Sequence, residues 1–171
     1  YKDIAIHTIV GNMLDTGFME LLFRTFTPDY IYHAAAYKHV HLMEWNPLAC
    51  LKNNVLGTAV LASLAERFGV KQFVMISTDK AVNPKGMMGI SKRLAERVIL
   101  ERYPSGTLFN IVRFGNVLGS SGSVIPLFQK QIRDGGPVTV TSPDTRRFFM
   151  SIPEAVQLVL QASTLNESKA I

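Results

Sequence analysis

Short apolar runs alternate along this chain with longer segments in which apolar residues recur at helical spacing. The runs predict strands at residues 5–10, 30–33, 72–76, 108–113 and 138–141. The longer segments predict helices at residues 18–26, 46–68, 88–102, 124–133 and 153–161. Strands that alternate with helices form parallel sheets with helices on both faces, so this order predicts an α/β fold with a doubly wound parallel sheet.

The length of the chain fits one domain. Its 171 residues are 47% hydrophobic, which is enough to bury one sizeable core, and no internal repeat or low-complexity tract divides it. The single cysteine, Cys50, lies in an apolar run and cannot form an internal disulfide. It predicts a buried, reduced thiol, as expected of a cytoplasmic protein.

Composition argues against several classes of partner. The formal net charge is +5, but the Lys and Arg residues are scattered and no nucleic-acid-binding motif accompanies them. We therefore expect an anionic small molecule such as a diphosphate, and no nucleic acid. The four histidines have no metal-site spacing, which predicts no metal. Neither an apolar stretch of about eighteen residues nor a signal peptide is evident, so we expect no membrane contact from this segment.

Polar, reactive side chains are concentrated in one stretch. Thr78, Asp79 and Lys80 directly follow an apolar strand, at the carboxyl edge of the sheet where α/β folds bind ligands. On the next helix, Met88 and Lys92 are four residues apart, so they share a face that can look back at the strand end. We predict that these five residues form the catalytic constellation.

Five segments carry a resemblance to a known family: residues 32–40, 53–58, 77–92, 113–120 and 149–155. In amino-acid sequence and in order along the chain they resemble the extended branch of the short-chain dehydrogenase/reductase superfamily. In that branch, Ser or Thr at a strand end faces a helical Tyr-x-x-x-Lys. Met88 stands in place of that tyrosine. Within the branch, the sequence of these segments is similar to that of the nucleotide-sugar 4,6-dehydratases of the CapD, WbpM and PglF type, which are polysaccharide biosynthesis proteins.

The resemblance implies a Rossmann-like, NAD-binding fold that begins with a glycine-rich diphosphate loop. No such motif is present, and Gly11 stands alone. Residues 1–171 are therefore expected to be a partial NAD-binding domain without the first βαβ unit, joined to part of the substrate-binding lobe, mainly residues 117–171. We expect a longer whole protein, with membrane-spanning helices in CapD-like members, and poor cofactor binding by this segment alone.

The resemblance also implies a tightly bound NAD that is regenerated in every turnover. Asp15 has two interpretations, since it could accept from the adenine amino group or cap the following helix. Small side chains at a strand end let a cofactor approach the backbone, so the alanines of this segment would border the ribose and diphosphate. Asn54 would tie the long helix to the active-site strand, and Lys92 would hold the nicotinamide ribose. The implied cofactor residues are Asp15, Ala34, Ala35, Ala36, Lys38, Asn54 and Lys92.

The implied reaction is the dehydration of a nucleotide sugar. The substrate would be UDP-N-acetylglucosamine and the product UDP-4-keto-6-deoxy-N-acetylhexosamine, for bacterial polysaccharide or glycan synthesis. Thr78 would bind a sugar hydroxyl, Lys80 would act as the base at C5 and Asp79 as the acid at O6. For this role, desolvation is expected to raise the pKa of Asp79 to roughly 6 to 7.

Further roles complete the expected site, and with no tyrosine at position 88 another group must remove the O4 proton. The O4 proton would leave to Asp79 or to water relayed through Thr78. Substrate contacts are implied for Asn116, Ser123 and Arg147, because these residues fall where the family grips the sugar nucleotide. We also expect a homo-oligomer. The expected location is the cytoplasm. A further amino-terminal region that attaches the protein to the cytoplasmic face of the inner membrane is an open alternative.

Two other functions share much of this pattern. A nucleotide-sugar 4-epimerase has the same fold and cofactor but no use for a base at C5 and an acid at O6, so Asp79 and Lys80 argue against it. A catalytically inactive NAD-binding sensor would have lost the tyrosine, as here. The retained Thr78 and Lys92 argue against that second alternative.

Overall fold

The central feature of the fold is a parallel sheet of three strands. The computed structural model describes residues 4–120, 124–140 and 142–171. Strands β1 (Tyr30–His33), β2 (Gln72–Thr78) and β3 (Leu108–Phe114) lie side by side in that order. In the register, Gln72 of β2 lies opposite Tyr30 and Leu108. The predicted parallel sheet is confirmed.

Helices cover both faces of this sheet. The helices of the described part are α1 (Thr16–Phe26), α2 (Val40–Trp45), α3 (Pro47–Leu51), α4 (Gly57–Arg67), α5 (Met87–Leu100), α6 (Val124–Arg133) and α7 (Ile152–Ala162), and those that pack directly on the sheet are α4, α5 and α7. On one face, α4 and α5 bury their apolar side against Phe73, Met75 and Phe109. On the other, Tyr32 donates to Ser163 just beyond α7 across 2.9 Å. Successive strand residues point to opposite faces, and Phe73 lies opposite Ile31, so Tyr32 and Phe73 face different sides of the sheet. Helices therefore pack on both sides, and the sheet is doubly wound, as predicted.

Two predicted strands are wrong. Residues 5–10 are irregular and leave Ile6 and Val10 exposed, and residues 138–140 are also irregular, with residue 141 outside the described part. The physical reason is the same in both cases, because a strand needs a hydrogen-bonded neighbour and neither segment has one among the described residues. The chain instead forms an unpredicted two-stranded pair, β4 (Asn116–Val117) with β5 (Phe149–Met150).

The predicted long helix exists, and it contains an irregularity. Helices α3 and α4 are joined by a π-helical turn, Lys52–Leu56, so that the helix is continuous over Pro47–Arg67. Single π turns inside α-helices are frequent at functional sites. This turn carries Asn54, one of the predicted cofactor residues.

The same helix corrects an expectation about membrane segments. Pro47–Arg67 has 21 residues and a window of mean hydropathy 1.4, so by length and composition alone it could cross a membrane. The expectation that no such stretch exists is therefore wrong. In the fold, the helix buries one side, with Cys50, Asn54, Thr58, Ala62 and Ala65 all nearly inaccessible to solvent. A core helix of a globular domain passes the same test.

Candidate active site

The carboxyl end of β2 turns sharply and presents the predicted reactive residues. The strand ends at Thr78, which caps a short 3₁₀ turn over Asp79–Ala81. The Thr78 Oγ1 accepts from the backbone N–H of Lys80 at 3.3 Å and donates to Asp79 Oδ1 at 3.0 Å. Thr78 therefore fixes both the turn and the carboxylate that follows it.

Lys80 connects this turn to β4. Its Nζ donates to Asp79 Oδ1 at 3.0 Å and to Asn116 Oδ1 at 3.1 Å. The side chains of Lys80 and Asp79 keep about a third of their surface exposed, at 33% and 32%. The structure thus brings together Thr78, Asp79, Lys80 and Asn116, of which Asn116 is distant in sequence.

The electrostatic surroundings of Asp79 differ from the expectation. Burial acts to raise the pKa of Asp79, but hydrogen bonds from Lys80 and Thr78 and the charge of Lys80 outweigh it. The pKa of Asp79 therefore lies below its ordinary value, and the predicted rise is wrong. Asp79 is therefore an ionised carboxylate at neutral pH.

Lys92 of α5 contacts β2 at Ile76, two residues before the strand ends. It is buried at 6% exposure, and its Nζ donates to the backbone carbonyl of Ile76 at 2.6 Å. Burial disfavours the ammonium and lowers the pKa of Lys92 to about 8, although the nearby Glu96 carboxylate acts in the opposite direction. The helical position four residues after Met88 places Lys92 against the end of β2, as the spacing predicted.

Glu96 is a buried carboxylate that was not among the predicted site residues. Its side chain is fully buried, accepts from Ser77 Oγ at 2.5 Å and from Arg113 Nε at 2.8 Å, and forms an ion pair with Arg113 at 2.6 Å. Burial acts to raise the pKa of Glu96, but the bonds from Arg113 and Ser77 bring it below its ordinary value. Its position four residues after Lys92 is the sequence signal that could have found it.

Met88 and its neighbour Gly89 join α5 to the rest of the site. Met88 is buried in a small apolar cluster with Met43 and Cys50, so its thioether has a packing role here, and a part in catalysis stays a prediction. A Cβ on Gly89 would lie 2.5 Å from the carbonyl oxygen of Lys80. Glycine at this position is what lets the start of α5 approach the Lys80 turn so closely.

The loop after β1 carries the alanines predicted to border the cofactor. Ala34 and Ala35 are exposed at the carboxyl end of β1 and Ala36 is half-buried, so a dinucleotide could lie against their backbone. Asn54 holds the loop, since its Oδ1 accepts from the Tyr37 N–H at 2.7 Å and its Nδ2 donates to the Tyr37 carbonyl at 3.0 Å. That these residues border NAD stays a prediction.

Asn54 makes contacts that differ from those implied. Its Nδ2 also donates to Ser91 Oγ of α5 at 2.9 Å, so its side chain ties the loop after β1 to α5 rather than to the β2 strand. The backbone carbonyl of Asn54 accepts from Thr58, whose oxygen lies 2.8 Å from His33 Nε2. Because the single Thr58 proton is already donated, His33 Nε2 carries the proton in this pair.

Three other predicted residues, Asp15, Lys38 and Arg147, make none of the hydrogen bonds described for the Lys80 cluster. Asp15 caps α1 by accepting from the Phe18 N–H at 3.0 Å, and its adenine contact stays a prediction. Lys38 is exposed in the loop after β1. Arg147 is exposed, and its guanidinium donates to the Arg146 carbonyl. Ser123 lies outside the described residues. Within the described part of the chain, no group of three His, Cys, Asp or Glu could hold a metal ion.

Comparison with known proteins places this geometry in a family. The whole chain, residues 1–171, matches the family described as polysaccharide biosynthesis protein. It is 52% identical over 171 residues to the probable polysaccharide biosynthesis protein EpsC of Bacillus subtilis, covering 99% of this chain and 29% of EpsC. It is 61% identical over 142 residues to the capsular polysaccharide biosynthesis protein CapD of Staphylococcus aureus, covering 82% of this chain and 24% of CapD. Identity to the UDP-glucose 4-epimerase of Rickettsia massiliae is 44% over 138 residues, covering 78% of this chain and 40% of the epimerase.

Solved structures agree with the fold. The X-ray structure of Pen from Bacillus thuringiensis has a TM-score of 0.89 at 34% identity, covering 98% of this chain and 54% of Pen. DesIV of Streptomyces venezuelae, a dTDP-glucose 4,6-dehydratase with NAD and TYD bound, has a TM-score of 0.85 at 23% identity, covering 94% of this chain and 55% of DesIV, a likeness of fold alone. The chain spans less than a third of EpsC and CapD and about half of these two structures. The resemblance to extended short-chain dehydrogenase/reductases is confirmed, and the chain belongs to the polysaccharide biosynthesis protein family.

Proposed function

We propose that the whole protein catalyses the NAD-dependent 4,6-dehydration of a nucleotide sugar, UDP-N-acetylglucosamine, for bacterial polysaccharide synthesis. The observation that carries this proposal is the Asp79–Lys80 pair at the end of β2, which is held by Thr78 and Asn116. A carboxyl group and an amine on one turn are the two proton-transfer groups that an elimination across C5 and C6 requires.

The chemistry that the cofactor supplies, when bound, is the removal of a hydride from C4 and its return to C6. The small side chains of Ala34, Ala35 and Ala36 would border NAD. Lys92 would bind the nicotinamide ribose through its ammonium. The presence of NAD in the DesIV structure supports this assignment of cofactor.

The bond directions at Thr78 suggest the path of the O4 proton. Thr78 uses its hydroxyl proton to donate to Asp79, so its oxygen can accept from a sugar hydroxyl. The O4 proton would pass through Thr78 to Asp79, which is an ionised carboxylate before the step because its pKa is lowered. Asp79 is then a carboxylic acid at the moment when an acid is needed.

The elimination would follow on the 4-keto sugar. In the competent form the Lys80 amine is unprotonated and takes the C5 proton. The C5–H electron pair forms the C5–C6 double bond, the C6–O6 bond breaks, and Asp79 gives its proton to O6, which leaves as water. When hydride returns to C6, Lys80 gives a proton to C5, so both residues end in their starting states.

Isotope labelling tests the proposal. Full-length protein incubated with UDP-N-acetylglucosamine in deuterated water should give a 6-deoxy-4-keto product with deuterium at C5. Mass spectrometry and proton NMR of the product would detect the label. Recovery of unlabelled substrate alone would contradict dehydration.

A 4-epimerase is the second candidate, and the 44% identity to a UDP-glucose 4-epimerase favours it. Epimerisation would invert C4 without label at C5 and without loss of water, so the same incubation separates the two reactions. Absence of any turnover, with NAD still bound, would instead support an inactive sensor. We further expect the whole protein to act in the cytoplasm as a homo-oligomer, which light scattering would test.

A further inference from the structure

A lysine base needs its amine held in a fixed direction. The Lys side chain is a flexible four-carbon stem that ends in a compact point charge, so its position is not fixed by its own shape. About a third of the Lys80 side chain is exposed, and its packing therefore leaves the amine free to move unless polar groups hold it. Two polar groups do so, the carboxyl group of Asp79 and the amide oxygen of Asn116.

The number of hydrogen bonds matches the chemistry of an amine. An unprotonated Lys amine has two N–H groups and one lone pair. The Oδ1 atoms of Asp79 and Asn116, at 3.0 Å and 3.1 Å, accept one N–H each. The third tetrahedral direction of Lys80 Nζ then carries the lone pair, and it faces neither acceptor. In the ammonium form, Lys80 Nζ can only donate, so the Asn116 atom that faces it in this structure is the amide oxygen.

The backbone fixes Asn116 in place. Its N–H donates to the carbonyl of Phe148 at 2.9 Å, and it lies opposite Phe149 in the β4–β5 pair. A Cβ on the preceding Gly115 would lie 2.6 Å from the Phe148 carbonyl oxygen, so only glycine permits this close approach of the two segments. The β4–β5 pairing therefore sets the backbone position from which the Asn116 amide reaches Lys80.

We propose that Asn116 is the positioning residue of Lys80, and that its amide oxygen aims the amine lone pair at C5 of the sugar. This inference rests on the proposed dehydratase function. It gives Asn116 a task distinct from the implied substrate contact. A neutral amide suits the task, since it accepts an N–H without adding a negative charge that would hold Lys80 as an ammonium.

The experiment uses the full-length protein and separates two steps. After rapid mixing with UDP-N-acetylglucosamine, the absorbance of the reduced nicotinamide is recorded over time. Its rise reports oxidation at C4. Deuterium uptake at C5 from deuterated water reports proton transfer by Lys80. In N116A we expect C5 exchange to slow on the order of a hundredfold, while C4 oxidation and KM change little, because misplacement affects only the step that Lys80 performs.

Control variants make the result specific. N116D keeps the size and an acceptor but adds a charge, and it should slow C5 exchange at least as much as N116A. N166A removes an exposed amide outside the site and should leave both steps unchanged. Thermal unfolding of each variant distinguishes a folding defect from a slower step.

Each outcome has one meaning. Parallel loss of C4 oxidation and a raised KM in N116A would overturn the inference and leave Asn116 as a substrate contact only. Wild-type C5 exchange in N116A, with exchange abolished in K80M, would also overturn it while leaving the dehydratase proposal intact. If the wild-type protein itself places no label at C5, the proposed function fails.

Discussion

Ser77 donates a hydrogen bond to the Glu96 carboxylate across 2.5 Å, and this contact joins β2 to α5 one residue before the strand ends at Thr78. Lys92 makes a second join from the same helix to the Ile76 carbonyl. Two successive residues of β2 are thus bonded to two successive turns of α5. These two hydrogen bonds hold Lys80, Asp79 and Lys92, the predicted base, acid and cofactor lysine, at one edge of the sheet.

Replacement of Glu96 should destabilise the protein strongly. In E96Q the Arg113 guanidinium, which is mostly buried, loses its ionised partner, and breaking a buried pair costs about 3 kcal/mol or more. The free energy of unfolding, measured with urea on the full-length protein, should fall accordingly. E101Q is the matched control, because Glu101 pairs with Arg97 at the exposed end of the same helix, and its loss should cost about 0.5 kcal/mol or less. Equal effects of the two changes would contradict a special role for Glu96.

His33 should make stability depend on pH in the acidic range. Burial, with a smaller contribution from the charge of Lys92, lowers the pKa of His33 from 6.5 to about 4. The unfolded chain therefore binds more protons than the fold between these two values, so stability is fully present above pH 6.5 and falls as the pH drops toward 4. The loss from this one group is about 3 kcal/mol at most.

The His33 contribution can be isolated by substitution. In H33Q the slope of unfolding free energy against pH should become shallower over this range, as measured by urea unfolding at several pH values. H41Q is the control, because His41 is exposed and its replacement should leave the slope as it is. An unchanged slope in H33Q would show that other groups carry the acid sensitivity.

A methyl group at Gly89 should damage the site more than the fold. In G89A the added Cβ meets the Lys80 carbonyl oxygen, so α5 and the Lys80 turn must separate by several tenths of an ångström. We expect turnover to fall on the order of a hundredfold, since catalytic geometry is sensitive to shifts of this size. G106A is the control, because nothing lies within 4 Å of its added Cβ, and activity there should stay at the wild-type level. Full activity in G89A would show that the close approach is dispensable.

Local sequence predicted the parts of this site that depend on neighbours in the chain. Thr78, Asp79 and Lys80 follow an apolar strand, and Lys92 comes four residues after Met88, so spacing predicted their position at the end of β2, while their catalytic roles stay predictions. The contacts of Lys80 with Asn116 and of Glu96 with Arg113 join residues 36 and 17 positions apart. Such pairs depend on how the strands and helices pack, which periodicity does not encode.

The errors have a similar origin. Residues 5–10 have the composition of a strand, yet strand structure requires a neighbour that local pattern cannot supply. We expected burial to raise the pKa of Asp79, whereas in the folded turn the hydrogen bonds from Lys80 and Thr78 and the charge of Lys80 outweigh burial. The π turn at Lys52–Leu56 likewise has the composition of an ordinary helix.

The separate tasks proposed for Asp79 and Lys80 predict that their variants stop at different steps. An amide cannot accept a proton from O4, so D79N should slow nicotinamide reduction on the order of a hundredfold or more. K80M should leave that reduction near the wild-type rate and lose deuterium uptake at C5, because C4 oxidation does not need the amine. Rapid-mixing absorbance and mass spectrometry of the sugar measure the two steps in the same samples. Nicotinamide reduction at the wild-type rate in D79N would show that the O4 proton leaves by another route, and the relay from Thr78 to Asp79 would then be wrong.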